Sequence, residues 1–500
     1  MKYSLKLKTQ HFHLSAGVFV AVMHEDDVHD LGIHALDKVE IINPGVKRTA
    51  TAIVNITHEE IRKGNIGLFE ELRLQLLIKK PTVVEVRPIP PLESISFIRK
   101  KIRGEKLSAQ EIKQIVDDIN EGKLAELEIS ALMTAVQIRG FDIEESASMA
   151  RALISNGKKV EFAKKPILDK HCIGGINGRT SLVLVPIIAA AGYCIPKTAS
   201  RAITSCAGTA DAMDCLAKAG LGLKEFKKVV EKTNGCIAWG GSLDLAPVDD
   251  KIIKIEYPLK LDPKGQVTAS VMAKKASVGA QFVVLDLPVG PEVKVTSADQ
   301  IKDYTERFSQ VGKMLGINVK VIPTDGTMPY GPAFGPALEA RHALQILEGK
   351  RFDNLAEKSV MLAGELMAMT EKSTVQQCTA KAKEILKSGK ALEKMREIIV
   401  AQGGKKITSE QVQVGKLKRQ IFAKQDGKIK KLNVQLFTVI ARETGAPSDK
   451  GAGVLLNVVP GQQVKNGDLL FEIFAENERK LVEALNLAER MNAVEFEPLK

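Results

Sequence analysis

Residues 169–211 hold the densest set of groups in this chain that can do chemistry. The first stretch reads Asp169-Lys-His-Cys-Ile-Gly-Gly-Ile-Asn-Gly-Arg-Thr-Ser181. One apolar stretch later comes Pro196-Lys-Thr-Ala-Ser-Arg-Ala-Ile-Thr-Ser-Cys-Ala-Gly-Thr-Ala-Asp211. Glycine lets backbone approach a phosphate, N–H groups and hydroxyls donate to it, and lysine or arginine supplies charge. Two such loops about a helix apart form an anion cradle, and the expected ligand is a phosphorylated or phosphate-accepting small molecule. In the first loop Lys170 and His171 fall where a strand ends, followed by Gly174, Gly175, Gly178, Arg179, Thr180 and Ser181. Ligands of open α/β sheets collect at that end of the strands. The glycines alone would read as a structural turn; the cations and hydroxyls beside them favour phosphate. The G-x-x-x-x-G-K-[ST] spacing fails and no G-x-G-x-x-G occurs, which argues against a P-loop and a dinucleotide site. The second loop offers Thr198, Ser200, Arg201, Thr204, Ser205 and Thr209, the last at an expected helix start where the dipole favours an anion.

A third segment, Leu261-Asp-Pro-Lys-Gly-Gln-Val-Thr-Ala-Ser-Val-Met-Ala-Lys-Lys275, places Ser270 and Lys274 on one face if it is helical. Taken alone they read as a capping serine and a surface lysine, and Asp262 before Pro263 as a turn carboxylate. Six of the eight histidines (His11, His13, His24, His29, His34 and His58) lie near the N-terminus, and no cysteine or carboxylate pattern completes a metal site around them. His342 falls inside the helical stretch Ala337–Leu347. No metal is expected. The six cysteines form no C-x-x-C pair, which argues against zinc.

These loops need a scaffold. Five hundred residues exceed one hydrophobic core. An apolar content of 44% with mean hydropathy near zero describes a soluble globular chain. The start is not that of a secreted protein, and the longest apolar run, Leu182–Tyr193, is interrupted by Pro186 and too short to cross a bilayer. A cytoplasmic location and no membrane partner are expected. The net charge of +12 fits a solvated basic surface or steering of an anionic substrate. Aromatic residues are only 4%, the densest basic cluster is Arg99–Arg103, and no nucleic-acid-binding signature is present, so no nucleic-acid partner is expected.

The fold expected is a multidomain α/β protein. Alternating stretches over residues 1–86 read as an N-terminal β-rich domain closed by the stiff Arg87-Pro-Ile-Pro-Pro91. Residues 92–160 read as a small helical lobe, with a capping box at Ser108/Glu111 and a later contribution near 247–277. Residues 161–425 read as an α/β lobe with a mainly parallel central sheet. Strands are expected at Pro166–His171, Gln281–Leu287 and Val319–Pro323, and helices at Thr180–Ala191, Leu223–Thr233 and after a second capping box, Ser297/Gln300. Residues 428–500 read as a C-terminal α+β domain with a helix near Glu476–Arg490; its hairpins resemble those of carrier domains, without an attachment lysine.

Asp169-Lys-His-Cys-Ile-Gly-Gly, Pro196…Ser-Arg, Gly208-Thr-Ala-Asp, Leu245-Ala-Pro and Ala269-Ser…Ala-Lys-Lys275 occur in one order. That ordered set resembles the thymidine/pyrimidine-nucleoside phosphorylase family over roughly residues 92–500. The N-terminal domain and the form Ser-Arg-Ala-Ile-Thr-Ser resemble the long branch that includes archaeal AMP phosphorylases. The resemblance implies phosphorolysis with inorganic phosphate as co-substrate, no cofactor, and a homodimer or larger homo-oligomer. It implies phosphate contacts at Lys170, Ser181 and Thr209, and a nucleoside pocket near His171, Arg201, Ser270 and Lys274. From the long branch it implies nucleotide contacts at Gly174, Ser200, Arg201, Ala202, Ile203, Thr204, Ser205, Thr209, Ser270 and Lys294, with Asp262 as proton donor; the catalytic pair is then Asp262 and His171. The chain departs from the family at Cys172 and Ala199, where serines are expected. It also lacks the base-binding arginine that the short enzymes carry, which would fall within Ile255–Tyr257.

Two activities follow. The leading expectation is thymidine phosphorolysis to thymine and 2-deoxyribose 1-phosphate; the alternative is phosphorolysis of AMP to adenine and ribose 1,5-bisphosphate. An anthranilate phosphoribosyltransferase, which shares this fold type, would want a Gly-Thr-Gly-Gly-Asp loop and an acidic magnesium pair; here the loop reads Cys172-Ile-Gly-Gly-Ile-Asn177. A binding-only protein is the non-enzyme alternative, motivated by Cys172 and Ala199.

Overall fold

The computed structural model describes residues 3–89, 92–202 and 205–497. The chain forms two compact units, residues 1–135 and 136–500.

The first unit begins with a closed six-stranded barrel. Its strands are β1 (Leu5–His11), β2 (Val20–His24), β3 (Lys38–Asn43), β4 (Arg48–Thr57), β5 (Asn65–Leu68) and β6 (Val83–Pro88), in the order β1-β5-β2-β4-β3-β6. Alternation decides the strands: in β3 every second residue, including Val39 and Ile41, is fully buried while its neighbours reach the surface. Closure leaves no free edge. Helices α1 (Glu25–Leu31) and α2 (Glu70–Gln75) accompany the barrel. Then come α3 (Glu93–Ile102) and α4 (Ala109–Asn120), the latter opened by the Ser108/Glu111 capping box. The division between units falls inside α5 (Glu126–Arg139).

In the second unit, α6 (Ile143–Ser155) starts at another capping box, Asp142/Glu145. The sheet that follows is parallel. Strand β7 (Leu168–Cys172) leads into α7 (Thr180–Ala190), β8 (Ile195–Ala199), the short α8 (Thr209–Met213), α9 (Leu223–Thr233) and β9 (Gly235–Trp239). Next come α10 (Pro247–Leu259), α11 (Lys264–Ser277), β10 (Phe282–Val289), α12 (Ala298–Met314) and β11 (Asn318–Asp325). Strands β11-β10-β7 form one parallel sheet and β8-β9 another. The Leu168 N–H bonds to the Cys194 carbonyl at 2.8 Å and ties the two together. Helices cover both faces. Val283, Leu285 and Leu287 of β10 join Met272, Phe308 and Val311 of α11 and α12, whereas Val284 joins α7 on the opposite side. That placement explains why β10 reads as an unbroken apolar run. Helix α7 is buried all round from Leu182 to Ile188, so it shows no polar face. At the start of α12, Ser297 accepts from Gln300 N–H, but the Gln300 side chain turns to Thr296 N–H, so the expected box is half formed.

The C-terminal elements borrow from outside residues 428–500. Strand β12 (Ala333–Phe334) precedes α13 (Pro336–Leu347), α14 (Asn354–Ala368), α15 (Val375–Lys387) and α16 (Lys390–Ala401). Then come β13 (Leu417–Phe422), β14 (Gly427–Leu432), α17 (Val434–Glu443), β15 (Gly453–Leu456), β16 (Gln463–Val464), β17 (Leu469–Ala475), α18 (Glu478–Arg490) and β18 (Val494–Glu497). One sheet runs β12-β15-β17-β13 and a second β16-β14-β18. Strand β12 is too short to show a period, and β13 carries exposed cations, so neither announces itself in the sequence. Phe334 of β12 stacks into the same core as Phe437 and Phe471. A Cβ on Gly453 would come within 2.0 Å of the Phe334 carbonyl, so this close strand approach requires glycine there.

Candidate active site

The carboxyl end of β7 delivers Asp169, Lys170, His171 and Cys172. Behind them lies a buried lattice of ion pairs. Asp169 is fully buried and meets Lys275 of α11 at 2.7 Å and Lys197 of β8 at 3.8 Å. Lys170 reaches Asp286 of β10 at 3.1 Å, and Asp286 also takes Lys358 of α14 at 2.9 Å and Thr324 Oγ1 at 2.7 Å. Lys358 in turn lies 4.0 Å over the Tyr330 ring. Four buried lysines thus face two buried aspartates, a surplus of positive charge that suits an incoming anion. The two lysines beside it hold the Asp286 carboxyl at about 2. Burial, and then Lys275 next to it, pushes the Lys197 amine well down. Burial and the ring of lysines at 275, 197, 170 and 274 likewise push His171 well below its ordinary value, so its imidazole is neutral at pH 7.

The first loop follows. Gly174, Gly175 and Gly178 adopt φ of +94°, +87° and +83°, a region closed to most side chains. Gly175 packs on the backbone of Val293 and Lys294, and a Cβ there would lie 3.2 Å from the Lys294 nitrogen. Asn177 bonds the backbone of Tyr330 and Ala333, fixing the loop from behind. Ser181 is buried in the first turn of α7. Arg179 faces away from the cradle: its Nε meets Glu339 of α13 at 2.5 Å and its Nη2 donates to the Ile176 carbonyl. Burial keeps the Cys172 thiol up and protonated, leaving a weak donor where the family has a hydroxyl.

The second loop is folded around Asp211. Its carboxylate accepts from the Ala202 and Gly208 N–H groups at 2.7 and 2.9 Å and pairs with Arg201 at 3.0 Å. Arg201 also meets Asp214 at 2.7 Å and lies 4.8 Å from the Trp239 ring centroid, so its guanidinium is committed within the loop. Ser200 is exposed, Thr209 opens α8, and Ser205 donates to the Ala207 carbonyl. Ile203 and Thr204 lie outside the described residues.

A third group gathers along α10 and α11. Asp249 is fully buried; it accepts from Ser270 Oγ at 2.7 Å and Gln266 Nε2 at 3.2 Å, and pairs with Lys274 at 2.7 Å. The helical spacing expected of Ser270 and Lys274 thus brings both onto one carboxylate. Lys274 and Lys275, adjacent in α11, tie this group to the buried ion-pair lattice through Asp249 and Asp169. Asp262, in the turn between α10 and α11, pairs with Lys294 at 2.7 Å, and the Gln137 side chain accepts from its N–H. The loop bearing Lys294 is clasped from the C-terminal elements: Glu292 accepts from Val434 N–H at 3.0 Å and pairs with Lys431, while Gln435 donates to the Glu292 carbonyl at 2.7 Å.

Sequence reasoning missed Lys197, Lys275, Lys358, Asp249 and Asp286. Lys275 stood next to a residue already singled out; Lys358 lies in an ordinary helical stretch and gives no signal. Among the described residues no group of three or more His, Cys, Asp or Glu is arranged to hold a metal, and no helix is long and apolar enough to cross a membrane.

A helical bundle joined to an α/β unit, with cations and glycine loops at the strand ends, defines a glycosyl-transfer fold. The family described as glycosyl transferase family, helical bundle domain, matches residues 95–157. Its a/b domain matches residues 164–252, and the pyrimidine nucleoside phosphorylase C-terminal domain matches 428–495. AMP phosphorylase 1 of Archaeoglobus fulgidus is 43% identical, covering 95% of this chain and 94% of its own. AMP phosphorylase of Methanosarcina barkeri is 41% identical over 99% of this chain and 97% of its own. Anthranilate phosphoribosyltransferase from Thermus thermophilus shares the fold alone, with a TM-score of 0.53 at 19% identity, over 61% of this chain and 99% of that one. The chain belongs to the thymidine/pyrimidine-nucleoside phosphorylase family, in its long branch.

Proposed function

We propose that this protein phosphorolyses a nucleoside 5′-monophosphate, AMP foremost, releasing the free base and ribose 1,5-bisphosphate. The observation that carries this reading is end-to-end similarity to relatives named AMP phosphorylase. It displaces the thymidine reading, which also lacks support at Ile255–Tyr257, where no arginine stands. The electrostatics agree with it. Two anions must be held, the attacking phosphate and the 5′-phosphate, and the site offers a buried lysine surplus and, apart from it, Lys294 beside Asp262.

Lys170, Ser181 and Thr209 bind the attacking phosphate in this reading. Gly174, the 200–205 loop and Lys294 hold the nucleotide, Ser270 and Lys274 line the nucleoside pocket, and neutral His171 donates a hydrogen bond rather than a charge. Asp262 protonates the departing base. The transition state has oxocarbenium character with negative charge on the base, so donors and cations at the base edge stabilise it. No metal or organic cofactor enters, and a homodimer or larger homo-oligomer is the expected assembly.

The test is phosphate-dependent release of free base from AMP, CMP, UMP, thymidine and uridine. Turnover of the monophosphates alone is expected; turnover of thymidine alone would sink the proposal.

A further inference from the structure

Three side chains of α11 converge on one carboxylate of α10. Gln266, Ser270 and Lys274 stand four apart, so they share one helix face. Asp249 lies in the first turn of α10, where the helix dipole favours a negative charge. Its Oδ1 accepts from Gln266 Nε2 at 3.2 Å, and its Oδ2 meets Ser270 Oγ and Lys274 Nζ, each at 2.7 Å. Gln266 is buried, and its Oε1 has no hydrogen-bond partner among the described residues. It turns its amide nitrogen to the carboxylate all the same, and a bond to a charged acceptor is the kind strong enough to offset the bare oxygen. Exposure grades outward across the group. Asp249 is fully buried, whereas Ser270 and Lys274 reach the surface in part. A molecule arriving from solvent meets the serine and the lysine before it could meet the aspartate.

The chemistry of these groups decides what the pair shows to a ligand. A hydroxyl has one hydrogen, and Ser270 gives its own to Asp249. Towards a ligand it has only lone pairs left, so it accepts and does not donate. An ammonium group has three hydrogens, so Lys274 can donate to a ligand while it stays bonded to Asp249. We propose that Asp249 sets the hydrogen-bonding polarity of the nucleoside pocket, holding Ser270 as an acceptor beside Lys274 as a donor. This deepens the phosphorylase reading and rests on its placing of Ser270 and Lys274 in that pocket. The base edge that matches carries a donor next to an acceptor. In adenine joined to ribose, the amino group holds the only N–H donors. That group therefore donates to Ser270, and a neighbouring ring nitrogen accepts from Lys274. Cytosine and uracil each carry a donor beside an acceptor as well, so the same polarity admits more than one base. Asp249 touches no substrate in this scheme; it is a positioning residue that acts through Ser270 and Lys274.

The test compares AMP with purine riboside 5′-monophosphate, which has hydrogen in place of the amino group. Base release by the full chain is measured at saturating phosphate, and the ratio of the two kcat/KM values is the readout. Wild type is expected to favour AMP by roughly 5- to 100-fold, because the analogue leaves the Ser270 lone pairs without a donor. Ser270→Ala removes the acceptor and should lower that ratio by at least about fivefold. Asp249→Asn offers one oxygen where the carboxylate offers two. With that oxygen on Lys274, its amide donates to Ser270 and turns the serine hydrogen towards the ligand. Its ratio should therefore fall as far as that of Ser270→Ala, and the double variant should fall no further. A merely structural aspartate would depress both nucleotides alike and leave the ratio at the wild-type value. If Asp249→Asn does not fold, Asp249→Asn with Lys274→Met removes both charges together and carries the same comparison, since the ring nitrogens that Lys274 serves are present in both nucleotides. A wild-type enzyme that does not favour AMP, or an Asp249 variant that keeps the wild-type ratio, overturns the proposal. If Ser270→Ala lowers the ratio and the Asp249 variant does not, the serine contact stands and the role of Asp249 falls. If wild type releases base from neither monophosphate, the phosphorylase reading falls and this inference with it.

Discussion

Asp286 neutralises two buried lysines from different parts of the chain, Lys170 on β7 and Lys358 on α14, and accepts from Thr324 as well. Removing its charge would leave two ammonium groups facing each other out of water. Breaking a buried pair in this way costs about 3–5 kcal/mol. Asp286→Asn is therefore expected to lose about that much stability in urea unfolding at pH 7, and a loss below about 1 kcal/mol would show the pair is not structural. The sign with pH follows from the depressed carboxyl. Its contribution is whole above the unfolded value near 3.9 and is lost as pH falls through about 2. Wild-type urea midpoints should drop across that window more steeply than those of the variant. The single residues also mark where sequence was readable. Ser270 and Lys274 stand four apart in the sequence, and the helix brings both onto Asp249. Arg179 reads as a cation of the first loop and Arg201 as one of the second, and the sequence does not announce their partners: Glu339 pairs with one and Asp211 with Asp214 with the other. Residue type is written in the sequence, but the direction a side chain faces depends on partners far along the chain.

At the scale of elements, the two glycine loops hold their shape because backbones touch. A Cβ on Gly208 would meet the Ser200 carbonyl oxygen at 2.5 Å and the Ala202 nitrogen at 2.6 Å. The loop and the start of α8 therefore stay in contact only with glycine there, and Asp211 then bonds N–H groups from both sides. Gly208→Ala should force the two apart and displace Thr209. A misplacement of about 1 Å can cost roughly 100-fold, so kcat/KM for phosphate should fall by that order while the far-UV spectrum is unchanged. Unaltered phosphate kinetics would mean that Thr209 does not contact it. Elements with strong local signals were readable to the residue: Leu223–Thr233 is the helix expected, and the Ser108 box opens α4. The Ser297 box was legible only in part, because Gln300 found a nearer N–H at Thr296. Strands β12 and β13 were not legible, since what makes them strands is pairing with β15 and β17 far along the chain.

At the scale of the whole molecule, the C-terminal sheets are built into the second unit and are not a separate appendage. They accept β12 as a strand, and they grip the Lys294 loop through Glu292. A chain cut after Asp426 would lose β15 and β17 and bare Phe334 with the edge of β12. Such a truncation is expected to be insoluble or aggregated on size-exclusion chromatography, since an exposed apolar edge templates association. A soluble, monodisperse 1–426 product would contradict the shared sheet.

Strand β12 also sets a timetable. Phe334 leaves the ribosome well ahead of Gly453, its pairing strand's first residue. At ordinary rates of synthesis that interval is on the order of ten seconds. Throughout it the nascent chain carries an open strand edge and an aromatic ring with nowhere to go. The segment most exposed to mispairing during birth is thus one that, in the finished protein, is wholly enclosed.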